Sequence, residues 1–214
     1  MLFRSDRWKA FEQVAIVHGE KVREAARSLQ DDVEDASRAL QGFDQFGREE
    51  FDSFARPMVG KKPIRMLRWI SQEGTGDNLS FPVRQVFPLA GHETELGQDL
   101  GRNPLFRAAL LHTREIKHPA ATDILPEDST EHVAGAVLFC PVLVRGTETV
   151  RGFLAGTLDI KAVLNQAIAH FDPADSDLSV SIMDLCGDQG IKALASYPEN
   201  ATPNLPEKLD LFRS

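Results

Sequence analysis

The sequence is poor in cysteine: its 214 residues include only two, Cys140 and Cys186. Because neither has a second cysteine nearby, a zinc knuckle and a redox-active CxxC motif are both excluded. Cys140 stands within the apolar run 136–144, which favours a small buried hydrophobic side chain. A disulfide with Cys186 is the alternative that the spacing leaves open.

Long apolar runs are also missing. No run reaches the roughly 18 residues that a membrane span requires, and the first residues, MLFRSDRW, lack the apolar core of a signal peptide. The chain as it stands is therefore predicted to be soluble, either as a cytosolic protein or as a piece of a larger one. Its hydrophobic fraction of 42% suits one large or two small packed domains.

Basic residues are outnumbered, since 24 Lys and Arg stand against 32 Asp and Glu, for a formal net charge of −8. Nucleic-acid binding needs clustered cations and is not expected, and an acidic surface has no electrostatic attraction to anionic lipid. The sequence also lacks HExxH, GxSxG, P-loop and GxGxxG motifs. We predict a domain that is not an enzyme and has no cofactor.

Histidines are the only metal candidates. A set of His112, His118 and His132 with Asp123 has no tight ligand spacing, so ordinary surface histidines are the preferred interpretation and no metal site is predicted.

A long helix is predicted over about residues 6–46, because apolar residues recur there mostly at alternating spacings of three and four. At about 1.5 Å per residue it would be about 60 Å long. The stripe either packs along its own domain or also pairs with a second copy of the chain, and both alternatives stay open. Its members are Trp8, Phe11, Ala15, Val22, Ala25, Leu29, Val33, Ala36, Leu40 and Phe43.

Strands and shorter helices are predicted to follow. Residues 64–70 alternate apolar and basic side chains, as a half-buried strand does. Residues 96–117 are predicted to be helical, with a buried face marked by Leu105, Ala108, Ala109 and His112. The remaining predictions are helices over 48–58 and 161–171, a strand over 81–89, and hairpins over 133–145 with 150–160 and over 178–185 with 192–197. This order predicts an α+β fold with antiparallel sheets.

The segments FPVRQVFPLAGHETELGQDL from Phe81, RNPLFRAAL from Arg102, and then AATDIL, GAVLFCPVL and GFLAGTLDI resemble the CHASE family in order and spacing. CHASE domains are the extracellular or periplasmic input domains of transmembrane histidine kinases and cyclases. The resemblance is clearest over residues 47–169. It implies a long N-terminal helix that carries two stacked PAS-like units, the outer one larger and holding a small ligand.

Three regions follow from this resemblance: a helix over 1–46, an outer sensing unit over 47–169, and a reduced or truncated inner unit over 170–214. The implied parent is a membrane-anchored receptor of two-component or diguanylate cyclase type. The apolar stripe adds the expectation of a homodimer that pairs through the N-terminal helix. The rival interpretation is a ligand-free spacer that supports dimerisation. A sensor predicts an open, partly polar cavity, whereas a spacer predicts one filled by side chains.

The resemblance also implies a ligand site. Asp99 stands at the aspartate of the family's GxDL motif, Thr122 matches a pocket-lining threonine, and Phe139 falls on the strand that floors the cavity. Trp69 and Phe87, from the two preceding strands, complete the predicted set. Asp99 as a helix N-cap, Thr122 as a structural residue and Phe139 as core are the plain alternatives.

Two departures from the family pattern affect the site. The segment between Trp69 and Phe81 is shorter than in relatives, and His92 replaces a common asparagine. Both changes concern the lid of the predicted pocket and therefore the class of ligand.

Overall fold

A computed structural model describes residues 3–43, 46–122, 125, 135–168, 180–184 and 192–197. It shows an α+β fold in which a long N-terminal helix precedes an antiparallel sheet with further helices packed on it. The predicted fold class is confirmed in these respects. The division into an outer and an inner unit stays a prediction.

Helix α1 spans Phe3–Leu40 and α2 spans Arg48–Ala55. The C-terminal half of α1 is held by a buried stripe, Leu29, Val33, Ala36 and Leu40, with the spacing of four, three and four that one helix face requires. The predicted helix end at residue 46 was wrong. Phe43 lies beyond the helix and is 49% exposed, so it does not belong to the stripe.

The main sheet has five strands in the order β2-β1-β5-β4-β3, and every pairing is antiparallel. The strands are β1 (Ile64–Ser71), β2 (Val83–Phe87), β3 (Ala120–Ala121), β4 (Gly135–Leu143) and β5 (Val150–Asp159). The predicted hairpin of β4 and β5 is confirmed, and the turn between them closes with Gly146 at a φ of +75°. A left-handed backbone at this point suits a residue without a Cβ.

Side chains of the sheet divide between two faces because the strand period is two. The face toward α1 and α2, which we call the helix face, carries Leu67, Leu138, Cys140 and Leu154. The opposite face, which we call the cleft face, carries Ile70, Val83, Val137, Phe139 and Phe153. Since both faces are covered, β4 and β5 are almost entirely buried, which explains their long apolar runs.

Cys140 is fully buried on the helix face and forms no disulfide with any residue that the structure describes. Burial is the main reason that the pKa of its thiol is raised, with the negative charge of Glu34 adding to the effect. Cys186 lies outside the described residues, so the disulfide alternative stays a prediction.

Helix α3 spans Pro104–Ile116 and covers the cleft face. It begins later than predicted because Asn103 caps it and Pro104 occupies its first turn, while residues before it form two short 3-10 helices. Its buried face consists of Phe106, Ala109, Leu110 and Thr113. The predicted face was therefore wrong except for Ala109, since Leu105, Ala108 and His112 are exposed.

Helix α4 spans Ile160–Ile168 and is followed by a two-stranded antiparallel sheet of β6 (Val180–Asp184) and β7 (Lys192–Tyr197). Asp159 accepts a hydrogen bond from the backbone N–H of Ala162 at 2.9 Å, which caps the first turn of α4. Leu164 and Ile168 of α4 pack with Val22 of α1 and Ile182 of β6. The long helix thus contacts both the main sheet and helix α4.

Candidate functional site

An open cleft of about 880 Å³ lies on the cleft face, between the sheet and the segment that leads into α3. Its floor includes Arg68 of β1, and its walls come from the chain between Gly91 and Phe106. The residues of the wall include His92, Glu95, Asp99, Arg102 and Phe106. The cleft therefore combines charged groups with an aromatic wall, as small-molecule sites commonly do.

Arg68 is the most deeply buried charge of the cleft, with only 3% of its side chain exposed. Its Nε donates a hydrogen bond to Oε2 of Glu95 at 2.6 Å, and its Nη1 donates to Oγ1 of Thr157 at 2.8 Å. The other carboxylate oxygen of Glu95 is 2.8 Å from Nδ1 of His92. A connected series of polar contacts thus runs from Thr157 in the middle of the sheet, through Arg68 and Glu95, to His92 at the wall of the cleft.

The alternation of apolar and basic residues over 64–70 predicted a half-buried strand, but the two arginines of β1 differ in burial. Arg65 is exposed and pairs with Asp159, whereas Arg68 points to the same face as Met66 and Ile70. The sequence carried a signal: the two arginines are three positions apart, and an odd separation puts two strand side chains on opposite faces. A charge on the apolar side of a strand is a candidate functional residue.

Asp99 lines the cleft, but its carboxylate also holds the backbone together. Its Oδ1 accepts hydrogen bonds from the backbone N–H of Phe81 at 2.7 Å and of Gly101 at 2.9 Å. Asp99 is therefore the N-cap of the short 3-10 helix Leu100–Arg102, which was the plain alternative for this residue. One oxygen is committed to this role, and the residue also lines the cleft.

Thr122 and Phe139 lie on the cleft face but behind the wall of the cleft. Oγ1 of Thr122 accepts a hydrogen bond from the backbone N–H of Val137 at 3.1 Å, so its hydroxyl stabilises the edge of β4. Phe139 is fully buried, and its ring meets the ring of Phe106 edge to face at 6.2 Å. Phe139 thus supports the aromatic wall that Phe106 presents to the cleft.

Trp69 and Phe87 lie on the helix face, across the sheet from Asp99. Trp69 packs against Phe46, and the guanidinium of Arg151 lies 5.4 Å from its ring centroid. Phe87 stands near the guanidinium of Arg56 at 5.9 Å. The structure does not bring the five predicted site residues into one pocket, because odd and even positions of a strand point to opposite faces.

Arg151 joins the helix face to the end of α1. Its Nη2 donates a hydrogen bond to the carbonyl of Leu40, the last residue of α1, at 2.9 Å, while its side chain stacks on Trp69. The next residue, Gly152, leaves room for that indole, since a Cβ there would stand 2.5 Å from the ring of Trp69. Trp69 and Arg68 are neighbours in β1, so this contact connects the helix end with the strand that floors the cleft.

No group of three or more metal-binding side chains occurs within the part of the chain that the structure describes. His112 and His118 are exposed, and the other two candidates, Asp123 and His132, lie outside the described residues. Among the described helices, none combines the length and the hydrophobicity that crossing a bilayer requires.

The chain is an α+β domain whose antiparallel five-stranded sheet has an open cleft on one face and a long N-terminal helix on the other. The chain belongs to the CHASE domain family, whose model matches residues 20–194. It is an extracytoplasmic sensing input domain. No curated protein matches the chain at a significant level.

Solved structures share the fold at low sequence identity. The ligand-binding domain of the Pseudomonas aeruginosa PAO1 amino-acid chemoreceptor PctC, in complex with GABA, has a TM-score of 0.57 and 14% identity, over 89% of this chain and 76% of that one. The domain of PctB from the same organism, in complex with L-Gln, gives a TM-score of 0.50 and 15% identity, over 86% and 65%.

An extracellular ligand-binding receptor from Desulfohalobium retbaense DSM5692 has a TM-score of 0.55 and 13% identity, over 80% of this chain. The match covers 29% of that receptor's chain. At these identities the likeness concerns the fold.

Proposed function

We propose that this chain is the sensing domain of a membrane-anchored receptor of the histidine kinase or nucleotide cyclase type, and that it binds a small molecule in the cleft above Arg68. The observation that carries the proposal is the cleft itself. It is open, about 880 Å³ in volume, and has a buried arginine at its floor. A ligand-free spacer would gain stability by filling such a space with side chains, because packed interiors leave few voids.

The position of the cleft supports a route for the signal. Arg68 lies on the cleft face of β1, and its neighbour Trp69 lies on the helix face, where Arg151 connects it to the C-terminal end of α1. A ligand that moves β1 therefore acts on the long helix through direct contacts. The proposed parent receptor uses this helix to pass the displacement toward the membrane. Amino acids and related metabolites are suitable first candidates, since the PctB and PctC domains are complexes with L-Gln and GABA.

Substitution Thr94→Trp tests the site. Thr94 is exposed and lines the cleft, so an indole there should occupy space that a ligand needs. A ligand present at 100 times its Kd stabilises the native state by about 2.7 kcal/mol. For a chain of this size that is a rise in melting temperature of roughly 5–10 °C. A thermal-shift screen of metabolites on the wild type should find such a compound, and Thr94→Trp should abolish the shift.

The matched control is Thr75→Trp, because Thr75 is also an exposed threonine and does not line the cleft. This variant should keep the full shift. If every compound that stabilises the wild type stabilises Thr94→Trp equally, the ligand does not bind in the cleft and the proposed site is wrong.

The N-terminal half of α1 supports the further proposal of a homodimer. Ile16 and Val17 are 50% and 45% exposed, although they are large apolar side chains on a helix of 38 residues. Pairing with the same segment of a second copy would bury them. By contrast, Leu29 and the buried positions after it are already used by the chain's own sheet.

Substitution Ile16→Glu should therefore convert a dimer into a monomer in sedimentation velocity, because a charge in the paired helices would be buried without a partner. Ser28→Glu, at an exposed position farther along α1, is the control and should leave the mass unchanged. A wild-type chain that sediments as a monomer at all concentrations would contradict pairing through this segment.

A further inference from the structure

A buried cation, Arg68, lies at the floor of the cleft. Among the residues that the structure describes, its carboxylate partner is Glu95, which belongs to a short segment of the cleft wall. The side chain of Arg68 is 3% exposed, whereas that of Glu95 is 19% exposed and belongs to the 3-10 helix Glu93–Glu95. Arg68 is anchored from behind by Thr157 of β5. The arginine is therefore the fixed partner of this ion pair, and the glutamate is the partner that can reach water.

The wall segment that carries Glu95 has a glycine at each end. Gly91 and Gly97 have φ angles of +86° and +81°, and a Cβ built on either would meet nothing within 4 Å. Glycine is the residue that changes backbone conformation at the lowest steric cost, and such positions often act as hinges. Segment 91–97 can thus turn as a unit and carry Glu95 toward or away from Arg68.

The remaining groups of the cleft favour an anion with an apolar part. Arg102 is a second cation at the wall and is exposed, while Asp99 has one oxygen committed to two backbone N–H groups. Leu96, Leu100 and Phe106 provide the apolar lining. A planar guanidinium binds a carboxylate through two parallel hydrogen bonds, which an uncharged amide cannot match.

We propose that the cleft takes small carboxylates with an apolar body, and that the ligand's carboxylate exchanges with Glu95 on the guanidinium of Arg68. The exchange keeps the arginine paired, moves Glu95 into water, and turns segment 91–97 about its two glycines. This inference rests on the proposed function and adds the chemical class of ligand and the contact that the ligand replaces.

Binding of matched acid and amide pairs to Glu95→Gln tests the exchange. The probes are phenylacetate with phenylacetamide and 3-phenylpropanoate with 3-phenylpropanamide, measured by calorimetry on the wild type and the variant. Removing the internal competitor should tighten carboxylate binding at least tenfold and leave amide binding weak or unmeasurable in both proteins. Glu115→Gln is the matched control, since Glu115 is an exposed glutamate of α3 that does not line the cleft, and it should change nothing.

Glu95→Asp provides a second variant should Glu95→Gln fold poorly, because it keeps the charge but withdraws it from Arg68 by one methylene. It should give a smaller gain in carboxylate affinity than Glu95→Gln. Carboxylates that bind Glu95→Gln no better than the wild type, or acids and amides that bind equally, would overturn the exchange. A third outcome separates the two proposals: uncharged compounds bind the wild type, and Thr94→Trp abolishes that binding. The carboxylate exchange is then wrong, while the proposed sensing function stands.

Discussion

Replacing Phe139 by alanine should lower the free energy of unfolding by about 4 kcal/mol, because the ring is fully buried and its removal leaves a cavity in the cleft-face core. The cavity lies directly behind Phe106, which the ring of Phe139 supports edge to face at 6.2 Å. Urea denaturation followed by circular dichroism measures the change. Phe106 should lose its fixed position as well, so ligand affinity falls together with stability.

The control for this prediction is Phe139→Leu, which keeps most of the buried volume and should cost less than about 1.5 kcal/mol. Ligand affinity should follow the same order, with leucine close to the wild type and alanine weakest. A Phe139→Leu variant with normal stability and no ligand binding would contradict the supporting role. In that case the ring would contact the ligand itself, as the family resemblance implied.

Asp99→Ala is expected to cost about 2 to 3 kcal/mol of stability, since it leaves the backbone N–H groups of Phe81 and Gly101 without their shared acceptor. The bond from Phe81 attaches the cleft wall to the residues before β2, and the bond from Gly101 caps the 3-10 helix within the wall. Thermal and urea denaturation both report the loss. The wall should become less ordered, and binding of any cleft ligand should weaken as a result.

Asp99→Asn separates the structural role of this residue from a ligand-binding role. The amide oxygen of asparagine can accept the same two N–H groups, so most of the stability should return. If ligand binding returns as well, the residue acts by holding the wall. A variant that is as stable as the wild type but has lost binding shows that the second carboxylate oxygen accepts a hydrogen bond from the ligand.

Several features of the fold could be predicted from local patterns because they depend on near neighbours in sequence. The apolar spacing of α1, the long apolar runs of β4 and β5 and the polar turn between them all indicated the elements that the structure contains. Which face of α3 is buried was not predictable in the same way. Leu105 and Phe106 are both apolar, and only packing against the sheet decides which of them is buried.

The candidate site shows more clearly the difference between what local patterns predict and what packing decides. Motif order indicated the family and the positions of Asp99, Thr122 and Phe139, yet it did not indicate that one carboxylate oxygen of Asp99 caps the backbone. The period of a strand puts the adjacent residues Arg68 and Trp69 on opposite faces, but motif order did not reveal which of the two faces carries the cleft. These facts depend on strand pairing and on which layers cover each face.

The sequence by itself determined the class of this protein: an acidic α+β domain with a long N-terminal helix, no catalytic motif and the ordered motifs of a CHASE sensor. Only the tertiary structure decided where the cleft lies and which polar groups meet in it. The pairing of Arg68 with Glu95 joins residues 27 positions apart, and its bond to Thr157 joins residues 89 apart. Contacts of that separation are set by the register of β1 against β5 and by the path of the wall segment, which no local pattern encodes.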